Sequence, residues 1–174
     1  GSKSITIDDN DCHGNLVGGV AVAATLNGMV AHNRCRGNRF DVLLGRDSRF
    51  INVTENECLS ETALAVTPET IGGGLLNGVY YPRKPTTGWD KRYGVSSCSI
   101  RSNHLSGQVR LIMFDSGEVV DNICENSTAQ GILLLGASHN RIAGNTIRNW
   151  SLKFSGIQTA SLLASDGVPA VQHP

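Results

Sequence analysis

Gly94-Val-Ser-Ser-Cys-Ser-Ile-Arg-Ser-Asn103, Gly117-Glu-Val-Val-Asp-Asn-Ile-Cys-Glu-Asn126 and Gly136-Ala-Ser-His-Asn-Arg-Ile-Ala-Gly-Asn145 align without a gap. Each opens on glycine, closes on asparagine and carries isoleucine three places before that asparagine, at Ile100, Ile123 and Ile142. Toward the N-terminus, Ile7 stands three before Asn10, Cys35 three before Asn38 and Val53 three before Asn56. Two places after the six asparagines come Cys12, Phe40, Cys58, Leu105, Thr128 and Ile147, of which only Thr128 is polar. Two registers that agree this often mark a structural repeat, with intervals of 28, 18, 47, 23 and 19 residues between the asparagines. The interval of 47 is about two periods, and Asn77, with Val79 two places on, reads as a degenerate seventh coil.

Within a period, short β-rich runs such as Val109–Phe114, Val119–Ile123 and Gly131–Leu135 are separated by Gly, Ser, Asn and Asp. Three such strands per period of about 20 residues, each period stacked one strand spacing (about 4.8 Å) above the last, make a parallel β-helix. The sequence thus predicts an all-β solenoid of six to seven coils over residues 1–160. An excursion at about 59–93 interrupts it, and an irregular cap or crossing segment follows at 161–174. A leucine-rich repeat would need its Leu-x-x-Leu-x-Leu pattern, and a sandwich would need hairpins every 8–12 residues without the longer register. The asparagines are expected in one stacked column, at left-handed bends where their amides bond from coil to coil. Asn38, Asn56, Asn103, Asn126 and Asn145 are the members, with Ile100, Ile123 and Ile142 stacked inside.

Composition narrows the partners. Fifteen basic residues balance fifteen acidic ones, so no electrostatic footprint for nucleic acid or an anionic membrane is present. No apolar run reaches the roughly 18 residues of a membrane span. The five cysteines lack Cys-x-x-Cys and zinc spacings, so no metal or other cofactor is expected. The repeat places Cys12, Cys35, Cys58 and Cys98 in the core and Cys124 outside, as free thiols suited to folding in a reducing compartment. Ile5 is already in register, so further coils or a partner are expected to cover that end. Phe114 and Leu133 align on adjacent coils and are expected to point outward, an apolar pair suited to an oligomer contact.

The asparagine-bearing repeat resembles that of the right-handed parallel β-helices of the pectate-lyase-like superfamily, which includes bacteriophage tailspikes, polysaccharide lyases and epimerases. It does so over about Ile5 to Thr159. The resemblance implies the handedness, in line with the general rule for crossovers. Its implied function is that of a phage tailspike or tail-fibre part, a homotrimer of the virion tail assembled in the host cytoplasm, that engages a host surface polysaccharide. Cleavage as a hydrolase or lyase is the associated activity. The alternatives are a secreted bacterial polysaccharide lyase or epimerase of the same fold, and a structural β-helix without a ligand.

Polysaccharide hydrolysis uses paired carboxylates, and a lyase uses a basic side chain against a uronate. Asp115 and Glu118 flank Gly117, and Asp90 precedes them by one coil, so these three are the candidate catalytic residues, Glu118 with Asp90 the leading pair. Asp9, Glu55 and Glu125 share the position before an asparagine, with Glu55 and Glu125 three rungs apart, too far for a dyad. The least repetitive segment holds Tyr80, Tyr81, Trp89, Lys91, Arg92 and Tyr93, aromatic faces for sugar rings beside polar reach for hydroxyls and carboxylates. These six are the candidate polysaccharide contacts.

Overall fold

The computed structural model describes residues 2–45, 47–66, 95–151, 153–162 and 169–171. The described residues form six coils that follow one another in sequence. The first holds β1 (Ser2–Asp8), β2 (Asp11–His13) and β3 (Gly18–Val22); the second β4 (Thr25–Ala31), β5 (Arg34–Arg36) and β6 (Phe40–Leu44). The third is β7 (Arg49–Thr54), β8 (Glu57–Cys58) and β9 (Leu64–Val66). The fourth is β10 (Val95–Ser96), β11 (Ser99–Arg101), β12 (His104–Ser106) and β13 (Val109–Ile112). The fifth is β14 (Phe114–Asp115), β15 (Glu118–Val120), β16 (Ile123–Glu125) and β17 (Ile132–Leu135). The sixth is β18 (Arg141–Ala143), β19 (Thr146–Arg148) and β20 (Ile157–Leu162), and β21 (Pro169–Val171) returns antiparallel along β20. Equivalent strands pair in parallel into three sheets, here A (β1 to β18), B (β2 to β19) and C (β3 to β20). The chain is therefore an all-β parallel solenoid.

The A–B corner shows why asparagine recurs. Asn10, Asn33, Asn56, Asn103, Asn122 and Asn145 form a continuous ladder in which each side-chain oxygen accepts from the backbone N–H and the amide of the asparagine on the rung before it. Each amide also donates to backbone oxygen, as from Asn56 to Val30 and Thr54. The four middle members are at most 2% exposed, so these bonds satisfy groups that water does not reach. The left-handed bend falls one residue earlier than expected, on Asp9, His32, Glu55, Ser102, Asp121 and Gly144, with φ between 51° and 65°. Two jobs assigned to one residue are thus divided: the exposed residue turns the chain and the buried asparagine bonds it.

Asn38 and Asn126 leave the expected column. Asn38 sits at the B–C corner, accepting from Asn15 and taking the Ser60 hydroxyl as acceptor for its own N–H. Asn126 is a left-handed bend residue (φ 56°) bonded to the Ser106 hydroxyl. Their replacement by Asn33 and Asn122 shifts one coil by four residues, so Val119, not Ile123, stacks with Ile100 and Ile142. Ile123 faces outward between His104 and Thr146 and is 40% exposed. The same shift turns Cys124 inward, into a column running Cys12, Cys35, Cys58, Leu105, Cys124 and Ile147. All five cysteines are free thiols. Glu125 leaves the position it was expected to share with Asp9 and Glu55 and aligns with Ser106 and Arg148.

Phe114 is wholly buried, which corrects the outward apolar pair. Met113 adopts φ 52° after β13, and this extra bend flips the phase so that the Phe114 ring enters the core. It rests over Gly117, where any Cβ would collide with it. Asn77 lies outside the described residues, but β7 pairs directly with β11, β8 with β12 and β9 with β13. The third and fourth coils are therefore adjacent rungs, and 67–94 is an insertion between them.

Candidate functional site

The two corners flanking sheet B differ in length. The A–B corner is two residues long on every coil. Between sheets B and C the turns are 14–17, 37–39, 59–63, 107–108, 126–131 and 149–156. The short turn of the fourth coil is set back between two longer ones. Gly107 (φ 152°) permits this, because a Cβ there would run into the backbone oxygens of Ser60 and Glu61. The recess is a notch of about 370 Å³ whose lining includes Gln108 and Arg110 of the fourth coil, Glu61 and Thr62 of the third, Thr128 of the fifth and Arg39 of the second.

The notch holds both polar anchors and an aromatic face. The Arg39 guanidinium lies 5.4 Å from the centre of the Phe40 ring. Thr128 donates to a Glu61 carboxylate oxygen at 3.1 Å and Gln108 to Gln130 at 2.7 Å, which fixes both walls. Arg110 projects from sheet C between Ala65 and Leu133, and its Nε is buried without a hydrogen-bond partner. An arginine N–H shielded from water and unpaired is a standing demand for an acceptor, and a carboxylate meets it best.

The candidate residues Tyr80, Tyr81, Trp89, Asp90, Lys91, Arg92 and Tyr93 lie outside the described residues. Glu118 and Asp115 are both on sheet A. Glu118 takes hydrogen bonds from Arg101 at 2.6 Å and from the Ser99 hydroxyl at 2.8 Å, with Arg141 at 3.8 Å. The Arg101 bonds, then the Ser99 bond, hold its carboxyl below the ordinary range. Asp115 accepts from Ser138 at 2.6 Å and engages His139 at 3.0 Å, and these bonds lower it likewise. Both are held as carboxylates, the form of a base or nucleophile. Sequence reasoning missed Arg39, Glu61, Gln108 and Arg110. The available signal was the 19-residue step from Asn103 to Asn122, four short of the 23 from Asn122 to Asn145.

No protein-family model and no curated protein matches the sequence. Among solved structures, the chain is similar to the A-module of mannuronan C-5 epimerase AlgE6 from Azotobacter vinelandii, with a TM-score of 0.68 at 16% identity. The match covers 96% of this chain and 42% of that one, so the chain spans less than half the neighbour's length. At this identity the likeness is one of fold, a parallel β-helix in both.

Proposed function

We propose that the chain is the glycan-contacting part of a β-helix protein acting on an acidic polysaccharide, and that the B–C notch receives a uronate carboxylate at Arg110. The observation that carries this reading is the buried, unpartnered Nε of Arg110 in a recess that also holds Arg39 over Phe40. The fold likeness to a protein named for acting on mannuronan supports the substrate class. The insertion leaves from Val66, whose neighbour Ala65 pairs with Arg110. The proposed contacts Tyr80, Tyr81, Trp89, Lys91, Arg92 and Tyr93, and the proposed catalytic Asp90, belong to the stretch 67–94 that follows Val66 in sequence. Asp115 and Glu118 are the proposed partners in proton transfer. The tailspike setting, with a trimer on a host surface polysaccharide, is a narrower form of the same proposal, and degradation of a capsular or O-antigen glycan distinguishes it.

The test is calorimetric titration with a mannuronate hexamer at low and high salt. Arg110→Gln should weaken binding by about 1.5–3 kcal/mol, the scale of a hydrogen bond to a charged group, and added salt should weaken the unmodified chain. Equal affinity in the variant, or no binding at millimolar oligomer, overturns the notch as the glycan site.

A further inference from the structure

On the outer side of the solenoid, sheet A carries a second column of left-handed residues six places before the ladder asparagines: Ser4, Asn27, Phe50, Ser97, Ser116 and His139, all with φ between 52° and 60°. Five of these are small or polar. Phe50 is the exception, since a bulky residue is disfavoured at this backbone geometry. The residue is 52% exposed, so core packing does not account for it either. Strain of this kind persists where a position has another use.

The surroundings supply one. Phe50 borders a depression of about 510 Å³ that spans the first four coils and takes in Ser4, Thr6, Asn27, Asn52 and Ser97. No Asp, Glu, Lys or Arg lines it among the described residues. Every other described asparagine uses its side chain in a hydrogen bond within the protein, whereas the amides of Asn27 and Asn52 make none. Two free amides, each with a donor and an acceptor group, lie beside an aromatic face, Asn52 on its own strand and Asn27 on the adjacent one, in a depression that crosses three strand spacings, roughly 14 Å. A pyranose ring offers the complement: an apolar face to stack and a rim of hydroxyls to bond.

We infer that this depression is a second glycan site, for a neutral oligosaccharide stacked on Phe50 and held by Asn27 and Asn52. It shares with the notch reading only the premise that the chain binds glycans, and the two sites separate by ligand charge.

The experiment is an amide-shift NMR titration of the 174-residue chain with three neutral hexasaccharides, of β-1,4-linked glucose, mannose and galactose, and with a mannuronate hexamer in parallel. A neutral hexamer should shift the amides of Asn27, Phe50 and Asn52. Phe50→Asn should weaken that binding about tenfold, within the range of a lost stacking contact, and should raise the melting temperature, because asparagine tolerates the left-handed geometry. Phe50→Trp should retain binding. If none of the neutral hexamers shifts these amides, if Phe50→Asn binds as the unmodified chain does, or if only the acidic hexamer acts here, the site is overturned. Uronate binding lost in Arg110→Gln alongside neutral binding lost in Phe50→Asn supports both sites. Loss of only one property leaves its own site standing and removes the other.

Discussion

The two corners on either side of sheet B divide the molecule's labour. At the A–B corner every coil spends two residues, one turning and one bonding, and six asparagines run through it unbroken. At the B–C corner the turns vary in length from coil to coil, and the asparagines there include bend residues such as Asn126 and Asn149. A corner whose residues bond to the rungs on both sides cannot change length on one coil without breaking two neighbours. The B–C corner bonds in this way on its early coils, through Asn15, Asn38 and Ser60, and through exposed contacts such as Asn126 to Ser106 later, where the uneven turns make the notch.

The sharpest way to break this contrast is to remove one ladder residue. Asn103→Ala leaves the buried Asn56 N–H without its acceptor and removes the amide bonds from Asn103 to the Val53 carbonyl and to Asn122. One unmet buried N–H, together with the loss of the other side-chain bonds of that rung, should cost about 3–5 kcal/mol in urea denaturation. Asn126→Gly, at the other corner, should be neutral or mildly stabilising, because glycine accepts its φ of 56°. Comparable losses in both variants would erase the distinction between the corners.

Core register gives the next largest effect. Ile100→Ala should cost about 2–5 kcal/mol, as for a fully buried aliphatic, while Ile123→Ala, on the exposed face of sheet B, should stay near 0.5 kcal/mol. An Ile123→Ala loss as large as that of Ile100→Ala would restore the register in which Ile123 points inward.

A length change sharpens the comparison directly. Two residues inserted into turn 126–131 should alter stability by less than about 1 kcal/mol, because loop closure entropy grows slowly with length. The same insertion between Asp121 and Asn122 displaces a ladder asparagine and should cost several-fold more, read from the same denaturation curves.

The smallest effect is electrostatic and belongs to the exposed side of the A–B corner. His32 bridges Asp8 at 2.7 Å and Glu55 at 3.1 Å, and those hydrogen bonds, Asp8 first, raise its pKa. A raised folded pKa gives stability that is complete below the unfolded value near 6.5 and is lost as pH rises through the folded value. The melting temperature of the unmodified chain should therefore exceed that of His32→Gln by more at pH 5 than at pH 8. The carboxylates Asp115, Glu118 and Glu125 have the opposite sign: lowered in the fold, they stabilise above their ordinary range and lose that contribution as pH falls through their depressed values. A margin for His32 that widened toward pH 8 would contradict the bridge.

Much of the solenoid was legible because its repeat is written in residues with a fixed physical job. Apolar residues three before and two after a buried asparagine are forced by the two-residue corner. The phase was less legible, since the B–C corner also favours asparagine, for bend geometry at Asn126 and for bonding between coils at Asn38. The even 23-residue steps linking Asn10, Asn33 and Asn56 distinguish the true ladder. Phe114 was misplaced because strict alternation cannot anticipate the bend at Met113. The notch was legible only through the 19-residue step from Asn103 to Asn122, which needs the true ladder to be known first, because it arises from the difference between neighbouring turn lengths and no local motif encodes a difference. Phe50 was hidden for a related reason: its oddity is that of one member of a column, and the column appears only once the coils are stacked.

The direct stacking of the third coil on the fourth has a kinetic consequence. Most ladder contacts link residues 19 or 23 apart, but Asn56 reaches Asn103 across 47. Closing 47 residues instead of 23 costs only about 0.6 kcal/mol more in chain entropy, so the added length barely disfavours the join at equilibrium. The join is nonetheless the slowest rung to find, because each three-coil block can zip up from near neighbours before the two meet. Refolding should therefore show two early events and one late docking, with Asn103 N–H protection from hydrogen exchange preceding that of Asn56.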